Sequence, residues 1–251
     1  YTDIRELEGQ EEAFLLAATR INPSTGEELK IDNTLITGST SDGSKLLGIK
    51  LPSNFAKTDS DNQELKFTYF LFNDKGEILD EIEGSEKNYP QYLVSATSDG
   101  KNWVTYKYSD PEGEEVQNPK GQIKIWDRTT DSDYVVTNSI IRENRALVSP
   151  DDKYLAYAKY VDSISTPEMS LGELCLWEFA TQKENCYVDS VYGANDFGNA
   201  LSWSKDSRYL YTARVTKGKK HLIQFSIENE TYSELKEVNR IFGPIYRSPS
   251  N

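Results

Sequence analysis

His221 is the only histidine in this chain of 251 residues, which restricts the acid–base chemistry that side chains can supply. A Ser-His-Asp or Cys-His arrangement would have to use it. His221 follows the basic stretch Lys217-Gly-Lys-Lys, and no Gly-x-Ser-x-Gly nucleophile turn precedes it. We therefore expect a solvated loop histidine rather than a catalytic one.

Carboxylates are far more abundant, with 41 Asp and Glu residues. Two runs place oxygen ligands at alternate positions, as calcium prefers: Asp59-Ser-Asp-Asn-Gln-Glu and Asp131-Ser-Asp. Neither run has the glycine and terminal glutamate of an EF-hand loop, so solvated loops are the favoured interpretation. The sequence thus predicts no cofactor and no metal, and calcium is the alternative.

Two cysteines, Cys175 and Cys186, flank a segment with the pattern of a β-hairpin. A two-residue turn at Ala180-Thr181 would place them opposite each other, whereas a three-residue turn would put them on opposite faces. A cross-strand disulfide, which would indicate an oxidising compartment, is therefore one interpretation. Two small buried apolar side chains are the other.

The formal net charge of −13 disfavours nucleic-acid and anionic membrane partners. Its simplest role is solubility, and a surface for a basic partner is the sharper hypothesis. No apolar run approaches the ~20 residues that a membrane span needs. The chain also lacks the basic segment and apolar stretch of a signal peptide, although a leader could have preceded Tyr1.

An internal repeat provides the elements that must position these groups. Each copy reads Ser or Thr, any residue, Asp, a small or polar residue, and then an apolar strand. The copies are centred on Asp42, Asp99, Asp151 and Asp206. Asp and Ser/Thr side chains stabilise tight turns by bonding to nearby backbone N–H groups, so we interpret the four aspartates as turn formers. A period near 50 residues suits a four-stranded propeller blade.

Each copy continues through a polar loop into a second hairpin, for example Gln122-Ile-Lys-Ile-Trp-Asp followed by Tyr134-Val-Val. The sequence therefore predicts an all-β fold with antiparallel four-stranded blades and almost no helix. The segment Ser149-Pro-Asp-Asp-Lys-Tyr-Leu-Ala-Tyr, followed by Gly172-Glu-Leu-Cys-Leu-Trp-Glu-Phe, resembles the WD40-like Pro-Asp repeat of bacterial β-propellers such as the TolB propeller family. This resemblance implies the fold and a periplasmic, secreted or surface-anchored location, and says little about function.

The chain ends suggest how the ring closes. Residues 13–30 read as the third and fourth strands of a blade, and residues 243–251 read as a first strand. We expect one domain, 1–251, with five blades, and pairing of the two ends would remove exposed sheet edges. A fragment of a longer propeller is the alternative. The predicted blades are 31–84, 85–138, 139–190, 191–240, and a composite of 1–30 with 241–251.

Three long loops, 51–65, 109–121 and 162–172, fall between the second and third strands of their blades and should lie on one face. Recognition residues usually lie on loops of a rigid scaffold. The candidate binding residues are Glu112, Glu114, Glu115, Ile164, Met169 and Leu171. The leading hypothesis is a non-catalytic module that binds a protein partner or serves as a scaffold. The alternative is a carbohydrate-acting hydrolase with carboxylates at the central channel.

Overall fold

The computed structural model describes residues 2–6, 14–21, 28–32, 34–50, 64–87, 92–108, 120–141, 146–161, 171–192 and 201–238. Within these ranges the chain forms nineteen β-strands and no helix. Accordingly, no described segment is a long apolar helix of the kind that crosses a membrane.

Sixteen of the strands form four repeating units of four strands each. Unit 1 contains β4 (Thr34–Thr40), β5 (Leu46–Lys50), β6 (Glu64–Phe72) and β7 (Ile78–Lys87). Unit 2 contains β8 (Tyr92–Ala96), β9 (Asn102–Tyr108), β10 (Lys120–Asp127) and β11 (Ser132–Ile141). Unit 3 contains β12 (Leu147–Val148), β13 (Tyr154–Tyr160), β14 (Leu171–Glu178) and β15 (Lys183–Tyr192). Unit 4 contains β16 (Ser202–Trp203), β17 (Tyr209–Thr216), β18 (Lys219–Ser226) and β19 (Thr231–Val238).

A separate antiparallel sheet precedes the four units and contains β1 (Thr2–Glu6), β2 (Phe14–Ile21) and β3 (Glu28–Asp32). The sequence predicted two strands here, and the structure adds β1, which pairs with β2. The partner segment of the predicted composite blade, 241–251, lies outside the described residues. Five blades, the blade boundaries and closure through the chain ends therefore stay predictions.

Successive units join into one sixteen-stranded sheet, which hydrogen bonds between the described strands do not close into a ring. The first strands of units 1 and 2, β4 and β8, pair in parallel at Ser39–Ser95 and Thr40–Ala96. Unit 3 joins unit 2 where the Val148 amide donates to Ser95 Oγ at 3.2 Å. Unit 4 joins unit 3 where Trp203 Nε1 donates to the Leu147 carbonyl at 3.1 Å. The first strands thus connect all four units.

The core lies between neighbouring units, because side chains alternate between the two faces of each strand. In β13, Leu155 and Tyr157 pack towards unit 2 against Val104 and Ile123. The alternate residues of β13, Ala156 and Ala158, pack towards unit 4. Both faces are buried, which explains why the Tyr154–Tyr160 strand is apolar at nearly every position.

The four repeat aspartates occupy equivalent turns between the first and second strands of their units. Thr40, Thr97, Ser149 and Ser204 each donate a hydroxyl hydrogen bond of 2.7 Å to the aspartate two residues later. The residue directly after each repeat aspartate adopts a positive φ, at Gly43 (71°), Gly100 (77°), Asp152 (59°) and Ser207 (58°). Units 1 and 2 meet this requirement with glycine, which has no Cβ to oppose it.

Asp152 uses this unusual backbone position to join three units. Its Oδ1 accepts hydrogen bonds from Ser41 Oγ at 2.5 Å and from the Ser98 amide at 2.9 Å. Its Oδ2 accepts a second bond from the Ser98 amide at 3.0 Å and one from Ser98 Oγ. Ser41 belongs to unit 1 and Ser98 to unit 2, so one carboxylate holds the first turns of units 1, 2 and 3 together.

Replacing Asp152 with asparagine should therefore lower the free energy of unfolding by about 1–3 kcal/mol. Asparagine tolerates the positive φ, so backbone strain would not change. The loss of stability would come from the asparagine NH₂ group, a donor, which would face the serine donors in place of a carboxylate oxygen. Chemical denaturation of Asp152→Asn measures the effect. Asp74→Asn, an exposed aspartate in another turn, is the matched control and should change stability by no more than about 0.5 kcal/mol. Equal midpoints for the two variants would contradict the role given to Asp152.

Candidate functional site

A cluster of polar side chains lies on the face of unit 3 that packs against unit 2. Tyr157 is at the centre of β13 and is fully buried among apolar residues of both units. Its hydroxyl donates a hydrogen bond to Glu184 Oε1 on β15. Burial, followed by the negative charge of Glu184, raises the pKa of Tyr157 far above its ordinary value. The phenol therefore keeps its proton and acts as a fixed donor to Glu184.

Glu184 is held through both of its oxygens. Tyr157 bonds to one, and Lys159 Nζ lies 2.5 Å from the other. The Glu184 side chain is 23% exposed to solvent, and the Lys159 side chain is 34% exposed. A carboxylate that is fixed in orientation yet reached by solvent has the geometry of a general base or a nucleophile.

Two aromatic rings lie on the same side of the sheet as Glu184. Trp177 of β14 is directly opposite Glu184 in the strand register, so the two side chains point to the same face. The Trp177 ring is 6.2 Å from that of Tyr134 in unit 2, measured between centroids. Both rings are half-buried. The cluster thus combines an oriented carboxylate, an ammonium group and partly exposed aromatic surface.

Cys175 and Cys186 are joined by a disulfide across β14 and β15, with an S–S distance of 1.94 Å. The sequence left two turns open, a two-residue turn at Ala180-Thr181 and a three-residue turn. In the structure four residues, 179–182, separate the paired residues Glu178 and Lys183. This even spacing places the cysteines opposite each other, as the two-residue turn would and the three-residue turn would not. Cys175 is fully buried on the unit 2 side, whereas Cys186 is exposed.

A carboxylate oxygen of Glu173 lies within 4.8 Å of both sulfur atoms. The sulfurs are bonded to each other and so cannot act as thiolate ligands in this state. In the oxidised protein this group therefore offers a metal a single carboxylate.

The repeat aspartates are poor proton donors. Partial burial acts to raise the pKa values of Asp42, Asp99 and Asp151, but hydrogen bonds and a neighbouring lysine outweigh it and leave each pKa lowered. Hydrogen bonds from Ser204 and Arg208 lower the pKa of Asp206 to about 2. The stabilisation from these groups is present above the unfolded-state pKa of about 3.9 and is lost as the pH falls through the lowered values. They act as turn formers.

The predicted loop-face residues fall mostly outside the described part of the chain. This applies to Glu112, Glu114, Glu115, Ile164 and Met169, and to residues 51–63, 109–119 and 162–170 of the three loops. Leu171 is described, and its assignment to a binding loop is wrong. It begins β14, pairs with Tyr192 and is 8% exposed, because the strand starts at this residue and the loop ends before it.

The structure describes only one of the two predicted calcium runs in full. Residues 59–63 of the first run lie outside the described residues. In the second, Asp131 pairs with Arg128 Nη1 at 2.6 Å and Asp133 pairs with Lys124 Nζ at 2.8 Å. The two carboxylates are thus engaged by separate cationic side chains and do not converge on one ion.

His221 lies within β18, and the prediction of a solvated loop is wrong. Its side chain keeps 17% of its exposure, and its Nδ1 lies 3.3 Å from Glu234 Oε2 on β19. The basic stretch before it forms a tight turn at Lys217 and Gly218, so the strand begins at Lys219, earlier than the charges suggested.

Comparison with known proteins shows which solved structures share this fold. No family model matches the sequence. A search of curated proteins gives no match either. TolB from Acinetobacter baumannii is similar in structure, with a TM-score of 0.54 and 14% identity over 94% of this chain and 52% of that chain. The chain has a TolB-like β-propeller fold. This confirms the predicted all-β propeller, and the chain spans about half the length of that TolB.

Two oligogalacturonate lyases share the TolB-like propeller fold. One, in complex with manganese, has a TM-score of 0.56 and 12% identity over 92% of this chain and 64% of that chain. The other, from Vibrio parahaemolyticus, has a TM-score of 0.53 and 10% identity over 90% of this chain and 63% of that chain. The prediction of a non-catalytic protein-binding module is therefore wrong as the leading hypothesis, because the similar structures include sugar-acting enzymes.

Proposed function

We propose that this TolB-like propeller is a carbohydrate-acting hydrolase in which Glu184 is the reacting carboxylate. The observation that carries the proposal is the geometry of Glu184, whose oxygens are fixed by Tyr157 and Lys159 while the side chain stays partly accessible. Glycoside hydrolysis depends on carboxylates held in this way, one of which activates water or attacks the sugar.

The surroundings of Glu184 also suit a sugar. Ligand sites combine aromatic surface with a few precisely placed polar groups, and Trp177 with Tyr134 supplies that surface beside the carboxylate. The fold supports the proposal too, since two similar propellers are lyases that act on oligogalacturonate.

The site is displaced from the channel position that the sequence suggested. Asp152 is the carboxylate that joins the first turns of three units. It is a poor candidate for a reactive group there, because its oxygens accept hydrogen bonds from Ser41 and Ser98. Glu184 instead lies on the last strand of unit 3, next to the interface with unit 2.

We derive no step through manganese, the metal of one similar lyase. Manganese prefers several oxygen ligands, such as carboxylates and carbonyls. The candidate metal group among the described residues is Glu173 with Cys175 and Cys186, whose sulfurs are bonded to each other. It offers one carboxylate and so does not fit that ion.

The disulfide supports an extracytoplasmic location as part of the proposal. Cys186 is exposed, so a reducing cytosol would have access to the bond, and such bonds persist mainly in oxidising compartments.

The experiment is product analysis by mass spectrometry after incubation with neutral and acidic oligosaccharides. Hydrolysis adds one water across the cleaved bond, so we expect two saturated fragments whose summed mass exceeds that of the substrate by one water. Fragments with a new carbon–carbon double bond and no added water would instead show elimination and would contradict the hydrolytic step. Intact substrates throughout the panel would contradict a carbohydrate-cleaving function.

A further inference from the structure

We infer that reduction of the Cys175–Cys186 disulfide creates a site for a thiophilic divalent cation such as zinc, with Glu173 as the third ligand. This site is separate from the proposed hydrolase chemistry and does not depend on it. The argument rests on the positions of three ligand atoms, the accessibility of one sulfur and the nearby charge.

The three ligand atoms are already close together. The two sulfurs and a Glu173 carboxylate oxygen all lie within 4.8 Å of one another. A tetrahedral zinc ion has Zn–S distances of about 2.3 Å and Zn–O distances of about 2.0–2.2 Å, so its ligands are separated by roughly 3.5 Å. Modest side-chain rotations would allow all three atoms to reach one ion.

The strand register fixes these ligands on one face. Cys175 and Cys186 are direct partners in the β14–β15 pair, with Cα atoms 4.1 Å apart. Glu173 is two residues before Cys175, and side chains two apart share a face of a strand. The sheet would therefore hold the ligands in place after the sulfur–sulfur bond is broken.

Access and charge also favour metal binding. Cys186 is exposed, so both a reductant and a metal ion can reach the bond from its side. Cys175 is buried, so solvent does not reach the bond from the other side. Two thiolates and one carboxylate would give a zinc complex a net charge of −1. Lys159 is the register partner of Glu173 in the β13–β14 pair, so it places a positive charge, shared with Glu184, on the same side of the sheet.

The chemistry balances with a dithiol as the reductant. Two electrons and two protons pass from the dithiol to the disulfide, giving two cysteine thiols and an oxidised dithiol. The metal then replaces the two thiol protons, and water completes the fourth position. The oxidised protein has no thiolates, so formation of the disulfide and metal binding exclude each other.

Cobalt(II) is the probe, because thiolate coordination gives it an intense charge-transfer absorption that water and carboxylate ligands do not give. Protein reduced with a dithiol, then separated from it and kept without oxygen, is titrated with cobalt. We expect one ion per chain with this absorption, loss of the absorption when zinc is added, and no such signal in the oxidised protein. Near-ultraviolet circular dichroism checks that the reduced chain is folded.

Two variants test the ligand assignment. Glu173→Gln should weaken cobalt binding at least about 10-fold, while Glu178→Gln, on the same strand but outside the ligand group, should bind as the wild type does. Cys186→Ser changes the exposed cysteine, spares the buried one and should abolish the two-thiolate signal. A folded, reduced wild type without the absorption would overturn the inference, as would unchanged affinity in Glu173→Gln.

Discussion

Replacing Gly38 with alanine should lower the free energy of unfolding by about 3 kcal/mol, the upper end of the range for overpacking. A Cβ on Gly38 would lie 2.5 Å from the Val94 carbonyl oxygen and 2.7 Å from its carbon. Both are backbone atoms of β8, so the clash cannot be relieved by rotating a side chain. The first strands of units 1 and 2 would have to separate where they meet.

Denaturant titration of Gly38→Ala measures this loss, and Gly43→Ala is the matched control. A Cβ on Gly43 meets nothing within 4 Å, but its φ of +71° opposes an L-residue. The control should therefore cost only about 1–2 kcal/mol, from backbone strain alone. If Gly38→Ala were as stable as the wild type, the close approach of β4 and β8 would be incorrect.

Reducing the Cys175–Cys186 disulfide should lower the free energy of unfolding by about 3 kcal/mol, the loop-closure value for a short loop. The two cysteines are 11 residues apart. The bond restricts the conformations that the unfolded chain can adopt. Its loss raises the entropy of the unfolded state and so favours unfolding. Unfolding midpoints of the wild type with and without a dithiol, in the presence of a chelator, measure the effect without metal binding.

The variant Cys175→Ala/Cys186→Ala is the control for the reductant. It should unfold near the midpoint of the reduced wild type, and a dithiol should not change it further. A wild-type midpoint that did not respond to complete reduction would show that the disulfide does not stabilise the hairpin.

The turns could be predicted from the sequence because their interactions are local. The pattern of Ser or Thr followed by Asp two residues later is sufficient to form the hydroxyl–carboxylate bond seen at Ser149 and Asp151. Alternation in β13 likewise follows from residues next to each other in the chain. The parity of the Cys175–Cys186 pair could not be stated in advance, because it depends on the turn length, and the sequence allowed both an even and an odd turn.

The candidate site could not be predicted because it depends on contacts between distant strands. Tyr157 and Glu184 lie 27 residues apart, and their hydrogen bond passes over β14. The sequence offered one indication of the site. Glu184 is two residues before Cys186, so the two side chains lie on the same face of the strand. The role of Asp152 could not be predicted for a similar reason. The sequence shows an aspartate where units 1 and 2 have glycine, but only the assembled units bring Ser41 and Ser98 to it.

The rate of oligosaccharide cleavage by Glu184→Gln tests the central proposal most directly. Glutamine preserves the size of the side chain but cannot act as a base or a nucleophile, so we predict a loss of kcat of at least about 100-fold relative to the wild type. Glu178→Gln, on the neighbouring strand, should keep the wild-type kcat, and matching circular dichroism spectra would establish that both variants are folded. Wild-type kcat in folded Glu184→Gln would contradict the assignment of Glu184 as the reacting carboxylate.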